Sequence, residues 1–537
     1  MKKKKNKKFF IIIGVVAIVL ILGIILWIRA NNNSNELSLS EKKWIEDNKN
    51  SMIDIYIMND LPIFTESEDD VFLSFLDYFE AETGLSLNKV SYSLNSTVPT
   101  GDYLFKIINE VDDIGRNDLL FYEDNYVILS KTNKKIQDLS LLNGYKIGIL
   151  TSNLTSVTEY LSYGNNLTFT NYEDDVKLLN AFNSDEVNYI VVPKNRYLKD
   201  IVNNNYYVVS NLSNLSNKYV LQVSNKSNKL DSIFSKLYSK WYNTNFKKLF
   251  SKNLNEYYFK TKEVDDRSIT AFKGKKYIYG YVENIPYEIS NNKGLNLEFL
   301  KGFESFAGVE FQLKKYNSVK ALKEAFDEGK VDIIFNYYDF DSSSSNETIN
   351  VYNSSYVILT HIDNNVTVDS WVSLSGKEVY ALKDTALTTY INNNTKATVK
   401  TYSKIKNLLK NKEPLVLLDL NTYNYYKNTK LKDYYIVYEG NLDLSYNFLV
   451  KRDNTNNIFS EAFQYYLSNI NHTEFKNRGM SKIMNTNFFE TLPLFYYAVV
   501  AFIFVIILAA FRLKKEKRVK VTEEKSRYID PLTSLKN

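Results

Sequence analysis

Between residues 31 and 491 the sequence contains only five arginines: Arg116, Arg196, Arg267, Arg452 and Arg478. A guanidinium can grip a carboxylate through two parallel hydrogen bonds, and an acid can receive an ammonium. An arginine and an acid facing one cleft would therefore hold a free amino acid. Arg116 is followed by Tyr122 and Tyr126, six and ten positions on. Asn346 is followed by Tyr352 and Tyr356 at the same spacings, but a neutral amide cannot supply the charged fork. Asp419 closes the run Pro414-Leu-Val-Leu-Leu-Asp419. Phe64 and Tyr287 stand beside Pro62 and Pro286, where they could stack on a ligand or fill a core. Arg116 also reads as a solvated loop residue, and Asp419 as a strand-end turn residue. Other chemistry is excluded by composition. With no cysteine there is no thiolate nucleophile, disulfide or Cys-ligated metal. The two histidines, His361 and His472, leave little for a metal site or a triad. No catalytic residue, metal ligand or cofactor motif is identified.

These residues must be positioned by a chain of 537 residues, enough for about three or four compact units. The net charge of +5 is distributed unevenly. Residues 1–8 carry +6, residues 512–537 carry +5, and the stretch between carries −6. A nucleic-acid surface would place its basic patch on a folded domain. Here the charge flanks two uncharged twenty-residue runs, 9–28 and 492–511. Each is about 30 Å long as a helix, the thickness of the hydrocarbon layer. Trp27, Arg29, Tyr496 and Tyr497 suit the interface. A cleaved signal peptide is the alternative for the first run. Its length and the sequence Ile28-Arg29-Ala30-Asn31 argue against cleavage. The basic flanks put both ends in the cytoplasm and residues 30–491 outside, a two-pass protein of the cell membrane.

The exterior repeats itself. Ile53–Phe64 alternates apolar residues and ends in a Pro turn, and Tyr277–Glu288 does the same. Apolar residues at helical spacing follow in each: Phe72, Phe75, Leu76 and Phe79 before Gly84, then Leu295, Phe299, Phe303 and Phe306 before Gly308. Pro62 to Pro286 and Gly84 to Gly308 are both 224 residues. Gly144 and Gly376 each precede a strand and a Ser/Thr-rich helix entry, 232 residues apart. The strands at Tyr219 and Tyr446 each precede a helix, Leu230–Trp241 and Ile458–Ile470. Two α/β units are expected, 37–262 and 268–484, joined at the charged stretch 262–268.

Each copy resembles the bacterial extracellular solute-binding family 3, the two-lobed Venus flytrap. The resemblance runs through Leu39-Ser-Glu-Lys-Lys-Trp-Ile-Glu46, the strand-Asn-x-x-Pro turn, the helix ended by Gly, and Gly329-Lys-Val-Asp332. It covers most of 37–484 and rests on the ordered set. It implies two lobes joined by two crossover strands with a ligand between them. In copy one the lobes would be about 50–138 with 208–260, and 144–205. In copy two they would be about 272–365 with 435–484, and 376–432. The family places its clamp arginine ten residues before a tyrosine, which implies Arg116 with Tyr126. Tyr356 is the second copy's tyrosine. The acid that follows the second-lobe strand would be Asp419, where copy one has Pro193. The implied partner is a small molecule, amino acid or peptide-like.

Residues 512–528 lack Gly and Pro, which predicts a juxtamembrane helix attractive to anionic lipid. Asp530, Leu532, Thr533, Leu535 and Asn537 resemble the opening D-x-L-T-x-L-x-N-R of GGDEF domains, so 529–537 reads as the beginning of one. That resemblance implies a diguanylate cyclase-type receptor in cyclic di-GMP signalling, acting as a homodimer. Its catalytic residues would lie downstream, and none is in this chain. A membrane-tethered binding protein without output, truncated or decoy, is the alternative. A transport-associated binding protein is disfavoured by the two spans, and a histidine kinase by a tail without histidine.

Overall fold

A computed structural model describes residues 36–484, apart from 94–95, 110–113, 137, 163–165, 224–227, 290–292, 341–344, 409 and 411. The apolar runs 9–28 and 492–511, the juxtamembrane segment and the motif at 529–537 lie outside the described residues. Among the described residues no helix is long and apolar enough to cross a membrane.

Strands of the first copy are β1 (Met52–Met58), β2 (Ser86–Tyr92), β3 (Tyr103–Ile108), β4 (Leu119–Ser130), β5 (Lys146–Leu150), β6 (Thr168–Tyr172), β7 (Tyr189–Pro193) and β8 (Tyr207–Val223). Those of the second are β9 (Lys276–Val282), β10 (Glu310–Tyr316), β11 (Ile333–Phe335), β12 (Asn346–His361), β13 (Glu378–Leu382), β14 (Thr398–Tyr402), β15 (Val416–Asp419) and β16 (Tyr434–Lys451). The first sheet runs β2-β1-β3-β8-β4-β7-β5-β6, and the second runs β10-β9-β11-β16-β12-β15-β13-β14. Adding eight to each label of the first order gives the second, so the repeat in the sequence is a repeat in topology.

In each copy two long antiparallel strands serve both lobes. Leu119–Asn125 of β4 pairs with Leu221–Ser216 of β8, and Tyr126–Ser130 pairs with Leu212–Tyr207. The register slips between Asn125 and Tyr126, where the sheet passes from the first lobe (β2-β1-β3) to the second (β7-β5-β6). Such a bulge bends a strand and adds local twist. β12 and β16 slip in the same way between Asn353 and Ser355.

Local signals account for the helices. The helix Val71–Thr83 buries Val71, Phe72, Phe75, Leu76 and Phe79 and stops at Gly84, φ 68°. The helix Leu295–Ala307 buries Leu295, Phe299, Phe303 and Phe306 and stops at Gly308, φ 69°. This left-handed cap conformation is costly for any residue with a Cβ. Helices Asn228–Trp241 and Asn454–Asn469 begin two and four residues ahead of the apolar positions that announce them. A polar first turn carries no apolar period. The Leu39–Asp47 helix is held by a capping box of Ser38 and Glu41, and Glu41 also accepts from Ser232 and Lys236.

One apolar cluster runs through the first lobes of both copies, from Phe75, Phe121 and Trp241 to Phe303, Phe459 and Phe463. The helices Lys247–Thr261 and Asp266–Gly274 carry it across through Leu254, Phe259 and Phe272. The second lobes keep separate cores on the two faces of their sheets. The copies therefore share one packed foundation, and their second lobes project from it.

Candidate functional site: two clefts closed by the protein's own side chains

In copy two the cleft lies between Pro286–Tyr287 and Tyr337 on the first lobe and the end of β15 on the second. Asp419, 1% exposed, ends β15 and caps the helix Leu420–Tyr426. Its carboxylate accepts four hydrogen bonds. Two come from its own lobe, from the Thr422 N–H (2.9 Å) and the Thr422 hydroxyl (2.6 Å). Two cross the cleft, from the hydroxyls of Tyr287 and Tyr337, both 2.8 Å. Asn421 adds a bond to the Tyr287 oxygen at 3.1 Å. Burial, and next the Asp419 charge, push both phenols well above the ordinary tyrosine range, so they stay as donors. The Ala386 N–H, at the start of the helix Ala386–Asn394, donates across the cleft to the Tyr337 carbonyl at 3.1 Å. The Tyr287 ring packs on Phe335, Tyr337 and Tyr352 at 5.1, 5.2 and 5.6 Å.

Lys476 stands behind this group, on the helix His472–Met484. Its ammonium lies 5.7 Å from the Tyr352 ring centroid. Burial lowers its pKa while the Asp419 charge opposes that shift. The last described helix thus carries a cation to the wall of the second cleft.

Copy one closes its cleft differently. Asp124, wholly buried on β4, accepts from the backbone N–H groups of Asn195 (2.6 Å) and Arg196 (3.0 Å) and from the Tyr219 hydroxyl (3.0 Å). Burial raises its carboxyl to about 6, against the pull of those hydrogen bonds. The Asn195 side chain then crosses to the Pro62 carbonyl at 3.0 Å. Phe64 packs beneath, 5.2 Å from Tyr122 and 5.0 Å from Tyr219.

Of the residues singled out in the sequence, the structure brings Tyr287 and Asp419 into direct contact. Phe64 is buried at the first cleft, within an aromatic cluster. Tyr126 and Tyr356 occupy equivalent places, paired in the ladder with Pro193 and Asp419 respectively. Tyr126 donates to Asn217 at 3.2 Å, and Tyr356 packs on Trp371 at 4.7 Å. Arg116 is exposed in the turn Gly115–Asp118 that leads into β4. From Leu119, where β4 begins, five residues of strand separate this turn from Asp124, roughly 17 Å at 3.3 Å per residue. Arg116 does not join the cleft groups. The arginine next to the first cleft is Arg196, paired with Asp175.

Asp124, Asn195, Tyr219, Tyr337, Asn421 and Lys476 were missed in the sequence. One signal was available: Asn195 and Asn421 each lie two residues past the end of the second-lobe strand, and both reach across a cleft. Among the described residues no group of three or more His, Cys, Asp or Glu is placed to hold a metal ion.

No protein-family model and no curated protein matches the chain. Solved structures do. One described as the structure of VC protein is 13% identical with a TM-score of 0.52, covering 79% of this chain and 99% of that one. The periplasmic domain of BvgS from Bordetella pertussis is 14% identical, TM-score 0.34, covering 88% and 96%. The GluR0 ligand-binding core, solved with L-glutamate, is 18% identical, TM-score 0.33, covering 38% and 98%. Likeness at these identities bears on fold alone. The fold is mixed α/β, two tandem two-lobed copies with one strand order, and it is similar to that of the first of these structures.

Proposed function

We propose that this protein is the sensing part of a two-pass receptor of the cell membrane. Its tandem flytraps lie outside the cell and respond to a small molecule. Both termini lie in the cytoplasm, where the 529–537 motif leads into a GGDEF output in cyclic di-GMP signalling. The lipid bilayer and a second copy of the chain are its other partners.

One observation carries the reading. The helix His472–Met484 reaches the second cleft through Lys476 and ends eight residues before the apolar run 492–511. A change at the cleft therefore has a short path to the membrane. The same helix is tied to the first lobe by Lys482, which bonds both Glu298 oxygens at 2.7 and 2.8 Å. A ligand can shift such an element only by the difference in its affinity for the two states.

The absence of cysteine makes topology directly testable. In intact cells, a membrane-impermeant maleimide should label Asn33→Cys and spare Ser526→Cys. After permeabilisation both should label. Labelling of Ser526→Cys in intact cells would contradict the orientation and the receptor reading with it.

A further inference from the structure

The hinges of the two clefts are tied to one corner of the chain. In copy one the hinge lies at the slip between Asn125 and Tyr126. The Lys194 N–H donates to the Asn125 carbonyl at 3.0 Å, so Lys194 sits on that slip. Its side chain leaves copy one and donates to the Ser468 carbonyl of copy two at 3.2 Å. Ser468 is in the last turn of the helix Asn454–Asn469. The carbonyls of a last turn carry the negative end of the helix dipole and suit a cation.

In copy two the ladder skips Val351, between Asn350 and Tyr352. The His472 ring, first in the helix His472–Met484, is wedged between two carbonyls. Its Nε2 lies 2.7 Å from the Leu467 oxygen, and its Nδ1 lies 3.2 Å from the Val351 oxygen. Burial lowers the pKa of the ring, so it is neutral at pH 7 and donates to one carbonyl at a time. Phe299 packs on the same ring at 5.5 Å. Asn350, beside the skipped residue, donates to the Asn133 carbonyl of copy one at 3.1 Å.

Leu467 and Ser468 are neighbours. A continuous line of contacts therefore runs from one hinge to the other through Asn125, Lys194, Ser468, Leu467, His472 and Val351. The bond from Asn350 to Asn133 runs beside it. Neither path uses a group that closes a cleft. The second lobe of copy one and copy two also flank a cavity of about 490 Å³, lined by Asn133, Val208, Ile349 and Gln464 among others. Opening of the first cleft thus has room to draw Lys194 and Asn133 away from their partners. Each hinge that moves withdraws its contacts from the corner, and the other hinge then holds fewer.

We propose that the corner between the helices Asn454–Asn469 and His472–Met484 couples the two hinges, so that the clefts open and close together. Such coupling is a free energy and is reciprocal: what opening the first cleft does to the second, opening the second does to the first. It needs no ligand and stands independently of the receptor reading. Under that reading, the corner gathers both clefts into the helix that leads toward the run 492–511.

Hydrogen exchange of the full chain in detergent tests the coupling. Asn195 and Arg196 amides report the first cleft, and the Ala386 amide reports the second. Tyr287→Phe loosens the second cleft and should speed exchange at Ala386 about fivefold. Asn195 and Arg196 should then also exchange at least about twofold faster, although they lie in the other copy. Asn195→Ala, which removes the bond to Pro62, should speed Ala386 by a like factor. In a background of His472→Phe with Asn350→Ala, which cuts both paths, each substitution should act on its own cleft alone. His472→Phe keeps a ring against Phe299. If that background does not fold, Lys194→Met with Asn350→Ala cuts the same paths from the side of copy one. The sheet amides of β4 and β12 should stay unchanged throughout. The coupling falls if Tyr287→Phe leaves Asn195 and Arg196 unchanged, or if Asn195→Ala leaves Ala386 unchanged. It falls equally if either effect survives in the cut background, or if the sheet amides speed up by the same factor, which would mean general loosening.

Discussion

Asp419→Ala should be among the most destabilising single substitutions in the second copy, by about 3–5 kcal/mol. The carboxylate is buried and accepts four hydrogen bonds, two of them from the opposite lobe. Its removal strands the Tyr287 and Tyr337 hydroxyls and the Thr422 N–H without an acceptor. Unpaired buried donors cost about 1–3 kcal/mol each, and neighbours in one network do not add. Nearby Lys476 also loses its compensating charge. Tyr287→Phe and Tyr337→Phe remove one donor apiece and leave the carboxylate with three hydrogen bonds. Each should cost about 1 kcal/mol. Urea unfolding measures all three. If Asp419→Ala is as stable as the parent protein, the carboxylate is not part of a buried network.

Between pH 6 and pH 8 the protein should lose about 1.4 kcal/mol of stability through Glu288 alone. Glu288 is 3% exposed and accepts from the Tyr279 hydroxyl at 2.6 Å and from the Asn296 amide. Tyr338 and Tyr352 also face it, and among the described residues no cation contributes to its titration. Burial raises its carboxyl from 4.5 to about 7, with the two hydrogen bonds opposing. Because the folded value is the higher one, its contribution is complete below about 4.5 and disappears as pH rises through 7. Asp124 acts in the same sense at lower pH, since its folded value is about 6. Lys135 and Lys194, lowered to about 8 by burial, act in the opposite sense above that pH. Glu288→Gln keeps an acceptor for both donors and has no charge to bury. The gap between parent and Glu288→Gln stabilities should therefore vary with pH by about 1.4 kcal/mol over this window. A constant gap would mean that Glu288 does not titrate there.

The architecture was legible because backbone requirements are written in residue types. Gly84, Gly308, Gly144 and Gly376 all sit at positive φ, and the sequence repeats them at near-constant offset. The apolar positions before Gly84 and Gly308 record which helix face meets the core. The cleft groups were only half legible. Tyr287 and Asp419 stood out because each lies beside a structural punctuation mark, a Pro turn and a strand end. Their contact spans 132 residues and depends on how the lobes close, which no local pattern records. In copy one the buried acid sits on the crossover strand at Asp124 instead. Lining up the repeats therefore pointed to Pro193, where no acid stands. Arg116 has the spacing of a clamp, but the length of β4 carries it away from the cleft.

Hydrogen bonds between the protein's own groups hold both clefts closed. Hydrogen exchange of the Asn195, Arg196 and Ala386 amides tests this most directly. All three bond across a cleft: Asn195 and Arg196 to Asp124, and Ala386 to the Tyr337 carbonyl. The account predicts slow exchange, with protection close to that of the sheet amides of β4 and β12. Exchange at the rate of an unstructured chain in these three, with the sheets still protected, would show clefts that stand open and would contradict it.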